Sequence, residues 1–350
     1  MAKRIIVSIV SSQTVPNYLF IKEFMDEADI FLFISTRQME DLHKTDIIYK
    51  TAGISKKQVR KILIDENELY LAKEKLDKLG WKNANHNFFV NITGGTKLMS
   101  NAVYEYFKKL NSRFFYIPFG PNNYKEIFEE KPALSYEFEF EITVDEYLKI
   151  HGIRHEYMPP IMSRFQANEI YRDARSTRFS IEEFPKRKLN KFYDGKVDLH
   201  LMTKWYEEYI YYRIKEVLKL NDQQIATGVK LFDVELEKET PFYSNDNEID
   251  ILFINKNNAY IVEVKYSIGK SRVNTTALNS YIFKLAAINK RFGIKARSAI
   301  FTHADFSTLN NNAIKNIRRR CQIAEVEFPF DRTVIDNENE FQNSLAHFIN

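Results

Sequence analysis

From Arg4 to Phe119 the chain alternates between strand-length apolar runs and segments with helical spacing, and that alternation admits few folds. Arg4 to Val10, Asp29 to Ser35, Val59 to Ile64, Asn87 to Ile92 and Arg113 to Phe119 read as strands. Between them, Pro16 to Phe24, a mixed polar segment to about Lys50, Glu66 to Leu79 and Thr96 to Leu110 have helical spacing. Pro16 sits near one helix start and Gly80 just beyond another helix end. Strand and helix in strict alternation predict a doubly wound, largely parallel α/β sheet. Ile127 to Glu130 and Tyr136 to Ile142 then read as an added hairpin, and the alternating Phe and Glu of its second arm predict a half-exposed strand. Thr143 opens a short helix as its cap, with Glu146 three residues on as capping-box partner.

The chain has 350 residues, room for two domains. Residues 154 to 195 are less regular and carry Arg154, Arg164, Arg172, Arg175, Arg178, Lys186, Arg187 and Lys188. They read either as a solvated linker or as a strip that touches nucleic acid. The expected division is therefore a first domain over 1–150, a basic connecting segment over 151–196 and a second domain over 197–350. In the second, a helix from Asp198 to Leu218 precedes strands near 229–237, 248–254 and 259–265. A helix from about Thr275 to Phe292, a strand at Ser298 to Thr302 and a helix through Asn311 to Cys321 complete an α+β core with a mixed sheet.

Composition narrows the function classes. Hydrophobic residues make up 44% and charged residues 28%, the balance of a globular protein in water. No apolar run approaches the roughly 20 residues of a membrane span. Met1 to Val7 leads directly into a strand without a signal-peptide layout, so a cytoplasmic location is expected. Cys321 is the only cysteine, which rules out a disulfide framework or a cysteine-rich zinc site. The net charge of +4 permits nucleic-acid binding but is a small excess for this length.

Three polar residues interrupt the two runs of the second domain that otherwise read as buried strands. Ile249 to Ile254 is apolar except for Asp250, and Ala259 to Val264 except for Glu263, with Lys265 two residues beyond. An unpaired buried carboxylate costs several kcal/mol and is normally kept only beside a compensating charge or metal. Glu263 and Lys265, two apart, point to the same face of their strand. Two carboxylates and a lysine meeting across a hairpin suit a divalent cation and a water that attacks a phosphodiester. The upstream helix offers Glu207 or Glu208 as a third carboxylate, and Lys284 on the following helix either faces the site or is solvated.

A second constellation, Asn91 to Met99 (NITGGTKLM), lies between a strand and a helix. Gly94 and Gly95 let backbone amides approach a ligand, and the helix N-terminus favours phosphate. The G-x-x-x-x-G-K-[ST] spacing is missing, so NTP hydrolysis is not indicated. A plain tight turn with a capping threonine is the competing reading. Ser11 to Asn17 (SSQTVPN), Ser35-Thr36 and Thr93 to Lys97 all fall at the carboxyl ends of strands, where an open α/β sheet binds ligands, so they can converge on one polar pocket.

Asp250, Glu263 and Lys265 resemble the Asp…Glu-x-Lys signature of the PD-(D/E)xK nuclease superfamily, although Ile249 stands where the Pro would be. With SSQTVPN, NITGGTKLM, Thr143 to Gly152 (TVDEYLKIHG) and the aromatic–Glu helix at Trp205 to Ile210, nearly the whole chain resembles the CRISPR-associated ancillary nucleases. These join a CARF sensor domain to a PD-(D/E)xK effector domain. Where that family commonly has Gly, this chain has Ser11. The resemblance implies an N-terminal Rossmann-like CARF domain and a C-terminal restriction-endonuclease-like α+β domain. It implies a homodimer that binds one cyclic oligoadenylate, in close relatives cyclic tetra-adenylate, made by type III CRISPR complexes. Binding would switch on cleavage of DNA and/or RNA with Mn²⁺ or Mg²⁺. It assigns Asp250, Glu263 and Glu207 to the metal and Lys265 to the attacking water. Glu207 is preferred to Glu208 because it sits two after the tryptophan. The ligand positions it implies are Ser11, Ser12, Gln13, Asn17, Thr36, Thr93, Gly94, Gly95, Thr96 and Lys97. A sensing adaptor or regulator with a structural nuclease fold, and a stand-alone restriction or repair nuclease, are the alternatives.

Overall fold

The apolar runs of the first half pair side by side, because helical crossovers return each strand in the same direction. The structure, a computed structural model, describes residues 2–83, 85–176, 199–232, 248–268, 273–293 and 296–350. The chain divides into two compact units, Met1–Ile153 and Arg154–Asn350.

In the first unit, β1 (Arg4–Ile9), β2 (Ile30–Ser35), β3 (Val59–Leu63), β4 (Asn87–Asn91) and β5 (Ser112–Tyr116) are parallel neighbours in the order β3-β2-β1-β4-β5. An antiparallel hairpin of β6 (Asn123–Ile127) and β7 (Leu134–Glu137) extends the sheet beyond β5. The strand order, though not the strand direction, reverses between β1 and β4, the place where open α/β sheets form ligand crevices. The crossovers are α1 (Val15–Phe24), α2 (Arg37–Asp41), α3 (Lys44–Thr51), α4 (Leu69–Asp77) and α5 (Lys97–Phe107). Ala72 and Leu76 of α4 and Met99, Ala102, Val103 and Phe107 of α5 close one core over Ile5, Val7, Ile9, Leu32 and Val90. The closing helix α6 (Val144–Ile150) carries the expected capping box: Glu146 N–H donates to Thr143 Oγ1 at 3.1 Å and Thr143 N–H to Glu146 Oε2 at 3.0 Å. β3 is half-exposed rather than buried, as befits an edge strand. The hairpin lies earlier than expected, because Phe138 packs against Tyr124 as a side chain after the β6–β7 ladder has ended.

In the second unit, β8 (Arg154–Met158), β9 (Ile225–Phe232), β10 (Glu248–Asn255), β11 (Asn258–Lys265) and β12 (Arg297–Thr302) form a five-stranded sheet, order β12-β11-β10-β9-β8. Only β11 and β12 pair in parallel, so the sheet is mixed. Lys256 and Asn257 (φ 47 and 61) make the two-residue β10–β11 turn, as left-handed residues do in tight hairpins. The helices are α7 (Arg164–Ser176), α8 (Leu199–Leu218), α9 (Thr275–Asn289), α10 (Asn311–Ala324), α11 (Arg332–Asp336) and α12 (Glu338–Ile349). α7, α8, α11 and α12 share one core with Ile251, Phe253, Tyr260, Val262, Val264, Ala299 and Phe301. Asp250, Leu252, Ile261, Glu263 and Ile300 alternate with those residues and so face the other side, where α9 packs on β11 and β12 and α10 packs on α9.

The expected connecting segment over 151–196 is corrected in its first half. Arg154–Met158 is an edge strand paired to β9, and α7 buries Ala167, Ile170, Tyr171 and Ala174 against α8. Their i, i+3, i+4, i+7 spacing is that of an amphipathic helix whose other face carries the arginines. Arg178, Lys186, Arg187, Lys188 and the expected strand end at 233–237 lie outside the described residues. No helix among the described residues is long and apolar enough to cross a membrane.

Candidate functional site

In the first unit, two glycines bring the loop after β4 against the end of β1. A Cβ on Gly94 would lie 2.2 Å from the carbonyl oxygen of Ile9, closer than any real contact, so only glycine fits. Gly95 has φ +77, and a Cβ there would lie 2.5 Å from the Ile9 side chain. Beneath this loop a buried amide pair ties the two strand ends. Asn91 Nδ2 donates to Asn17 Oδ1 at 3.1 Å, and Asn17 Nδ2 donates to the Ile9 carbonyl at 2.9 Å. Asn91 Oδ1 accepts from Thr93 N–H at 3.0 Å.

This geometry sorts the sequence-derived ligand positions. Asn17 and Thr36 are buried, and their polar groups are spent inside the fold, Thr36 as the cap of α2 through Met39 N–H. Within the fold these two side chains support the loops. Thr93 Oγ1 accepts from Ile117 N–H, and Thr96 Oγ1 caps α5 through Met99 N–H while donating to Glu66 O. The Ser11 hydroxyl turns back to the Gln13 carbonyl, and Ser11 is not among the residues with positive φ. Ser12, Gln13, Gly95, Thr96 and Lys97 are exposed at the switch point, presenting hydroxyl, amide, backbone and ammonium groups together. Such a set recognises phosphate and nucleobase edges.

In the second unit, Asp250, Glu263 and Lys265 meet. Lys265 Nζ lies 2.9 Å from Asp250 Oδ2 and 2.8 Å from Glu263 Oε1, and the other oxygen of Glu263 takes Lys284 Nζ at 2.8 Å. Val264 N–H also donates to Asp250 Oδ2 at 2.7 Å. Asp250 is 6% and Glu263 2% exposed. Burial, and then the neighbouring Glu263 charge, push the Asp250 carboxyl above its ordinary range. Burial alone would lower the Lys265 ammonium, but Asp250 and Glu263 beside it hold it above its ordinary value.

The helix carboxylate is differently held. Lys204 Nζ bridges Glu207 Oε2 at 2.8 Å and Glu248 Oε1 at 2.6 Å, fastening α8 to the start of β10. Burial and then the Asp250 charge push Glu207 up to about 8. Glu208 instead accepts Ile161 N–H at 2.8 Å and Met162 N–H at 2.7 Å, anchoring the turn before α7. Lys204 and Glu248 were not singled out in the sequence, although Lys204 stands three residues before Glu207, the spacing of a helical ion pair.

Among the described residues no three His, Cys, Asp or Glu side chains are grouped closely enough to hold a metal ion. Three buried carboxylates require compensation, and the ammonium groups of Lys204, Lys265 and Lys284 supply it. The donor chemistry nevertheless suits a hard divalent cation, since Asp250 and Glu263 present carboxylate oxygens to one shared cation, Lys265.

Residues 5–147 match the family model for the Card1 CARF domain, so the sheet of the first unit is of Rossmann-like CARF type. No curated protein sequence gives a significant match. Solved structures share the fold. Can2 from Sulfobacillus thermosulfidooxidans, in complex with cyclic tetra-adenylate, superposes with TM-score 0.68 at 14% identity, covering 99% of each chain. Protein VC1899 from Vibrio cholerae gives TM-score 0.69 at 15% identity, covering 99% of this chain and 98% of its own. A type III CRISPR defence DNA nuclease activated by cyclic oligoadenylate gives TM-score 0.61 at 17% identity over 87% of this chain, which spans 46% of that longer one. At these identities the likeness is one of fold.

Proposed function

We propose that the protein is a metal-dependent nuclease of type III CRISPR defence, switched on by a cyclic oligoadenylate. The observation that carries the reading is the buried Asp250–Lys265–Glu263 cluster in a chain whose first unit matches a CARF model. A purely structural sheet has no use for two carboxylates there, because an apolar pair of similar volume is at least as stable. The fold shared with Can2, described with cyclic tetra-adenylate bound, supports that activator. The fold shared with a DNA nuclease activated by cyclic oligoadenylate supports the coupling of sensing to cleavage. The second unit is accordingly a nuclease domain of the PD-(D/E)xK type.

In the sensor, the exposed groups of Ser11, Ser12, Gln13 and Thr93 to Lys97 bind the ring, with Gly94 and Gly95 admitting its phosphates to backbone amides. Asn17 and Thr36 hold the loops in place. Two chains form a homodimer around one ligand. In the effector, Asp250 and Glu263, joined by Glu207, hold Mn²⁺ or Mg²⁺. Bound there, a divalent cation polarises the phosphate and lowers the pKa of a water. Lys265 orients the attacking water and balances charge as the pentavalent phosphate forms, and Glu208 keeps the turn before α7 in place. The test is cleavage of plasmid and single-stranded DNA and RNA in Mn²⁺ by the wild type and by Glu263→Gln and Lys265→Met. Loss of at least about a hundredfold in rate is expected for both variants. Cleavage unchanged in both would overturn the site.

A further inference from the structure

The net charge of +4 conceals a strong segregation. From Lys265 to Ala324 the sequence holds twelve lysines and arginines and one carboxylate, Asp305, an excess of eleven positive charges, so the rest of the chain is net acidic. The stretch begins at the site itself and ends with α10, whose Lys315, Arg318, Arg319 and Arg320 are exposed while Ile317 and Cys321 are buried. α10 contains no acid.

Other surface helices neutralise their cations at i,i+3 or i,i+4 spacing, as in Lys50–Asp46, Lys78–Glu74, Lys108–Glu105, Lys149–Asp145 and Arg172–Glu169. Among the described residues no carboxylate forms a salt bridge with Lys290, Arg291, Lys315, Arg318, Arg319 or Arg320. Arg318 lies over the Phe328 ring, 4.2 Å from its centroid. Like charges one turn apart on a helix repel, so the fold carries this face at a cost in stability that no salt bridge among the described residues offsets.

The basic face lies on the reactive side of the sheet. α10 packs on α9, α9 packs on β11 and β12, and Lys284 of α9 reaches Glu263. Lys290 and Arg291 continue directly from the end of α9. We propose that the solvent face of α10, with Lys290 and Arg291, is the surface along which the phosphate backbone of a nucleic-acid strand lies while its scissile bond is at Asp250 and Glu263. The inference rests on the nuclease reading and names how that site holds its substrate. Unpaired, closely spaced cations recognise backbone phosphates without reading sequence. Phe283, 59% exposed and one residue before Lys284, adds a ring against which an unpaired base can stack.

The test is fluorescence anisotropy of labelled single-stranded and duplex oligonucleotides, in EDTA, across a salt series. The full chain is compared with a Lys315→Gln/Arg319→Gln/Arg320→Gln variant and with Arg164→Gln/Arg172→Gln on α7. The α10 variant is expected to weaken binding at least about tenfold at low salt and to lower the salt slope by about 2 to 3, with an unchanged melting curve. The α7 variant is expected to bind as the wild type. Equal affinity and slope in the α10 variant would overturn the inference and leave the nuclease reading intact. Loss of binding by the α10 variant, in a protein that cleaves nothing with metal, would overturn the nuclease reading and leave the surface. Binding of anionic vesicles but of no oligonucleotide would overturn both.

Discussion

At the residue scale, two positions are decided by contact geometry. A methyl group at Gly94 has no space beside the Ile9 carbonyl, so Gly94→Ala must displace the β4–α5 loop from the end of β1. The expected outcome is a loss of about 1–3 kcal/mol in stability by thermal denaturation. Titration calorimetry should show at least about a tenfold loss in cyclic tetra-adenylate affinity. Unaltered affinity would place the ligand elsewhere. Lys284→Met leaves buried Glu263 with Lys265 as its one remaining cation, and Lys284 is itself a third exposed. A destabilisation of about 1 kcal/mol is expected without divalent metal, after allowance for solvent screening. That loss should shrink on addition of Mn²⁺, because one competing cation has been removed. An equal loss at every Mn²⁺ concentration would mean that Lys284 has no bearing on the metal site.

At the scale of elements, sequence periodicity reports burial, and burial coincides with hydrogen-bonded structure only in part. The five parallel strands, their helices and the Thr143–Glu146 box were legible because each has its own local signal. The β6–β7 hairpin was displaced because Phe138 and Phe140 keep their apolar alternation, packing on Tyr124 and Tyr18, where the ladder is already finished. α7 was missed because its four buried residues are embedded among arginines. At the site, Asp250, Glu263 and Lys265 announced themselves as charges within apolar runs, whereas Lys204 and Glu248 gave no such contrast. Just past the end of β12 lies a half-buried titratable group. His303 stacks on Tyr266 with centroids 5.1 Å apart, beside Tyr171, Tyr206 and Asp336. Burial outweighs the Asp336 charge and lowers its pKa from 6.5. Below pH 6.5 the unfolded chain therefore takes up this proton more readily than the folded one, so stability is full above that value and declines as pH falls through it. Denaturant unfolding between pH 5 and 8 should show this decline in the wild type and a flatter profile in His303→Phe; parallel profiles would mean that His303 does not titrate differently on folding.

At the scale of the whole molecule, the chain combines a CARF-type sheet, with polar loops at its switch point, and a mixed sheet carrying a buried carboxylate–lysine cluster. Neither unit alone requires the other. A sensor needs no buried Asp250–Lys265–Glu263 cluster, and a constitutive nuclease needs no CARF-type sheet. Their presence in one chain is what makes ligand-gated cleavage the economical account, and it defines the decisive experiment. The rate of nucleic-acid cleavage in Mn²⁺ is measured for the full-length protein with and without cyclic tetra-adenylate, with Gly94→Ala and Glu263→Gln alongside. The account predicts cleavage that rises by at least about tenfold with the ligand, that Gly94→Ala fails to activate and that Glu263→Gln abolishes. Cleavage at the same rate with and without the ligand, in a protein that binds it, would contradict the account.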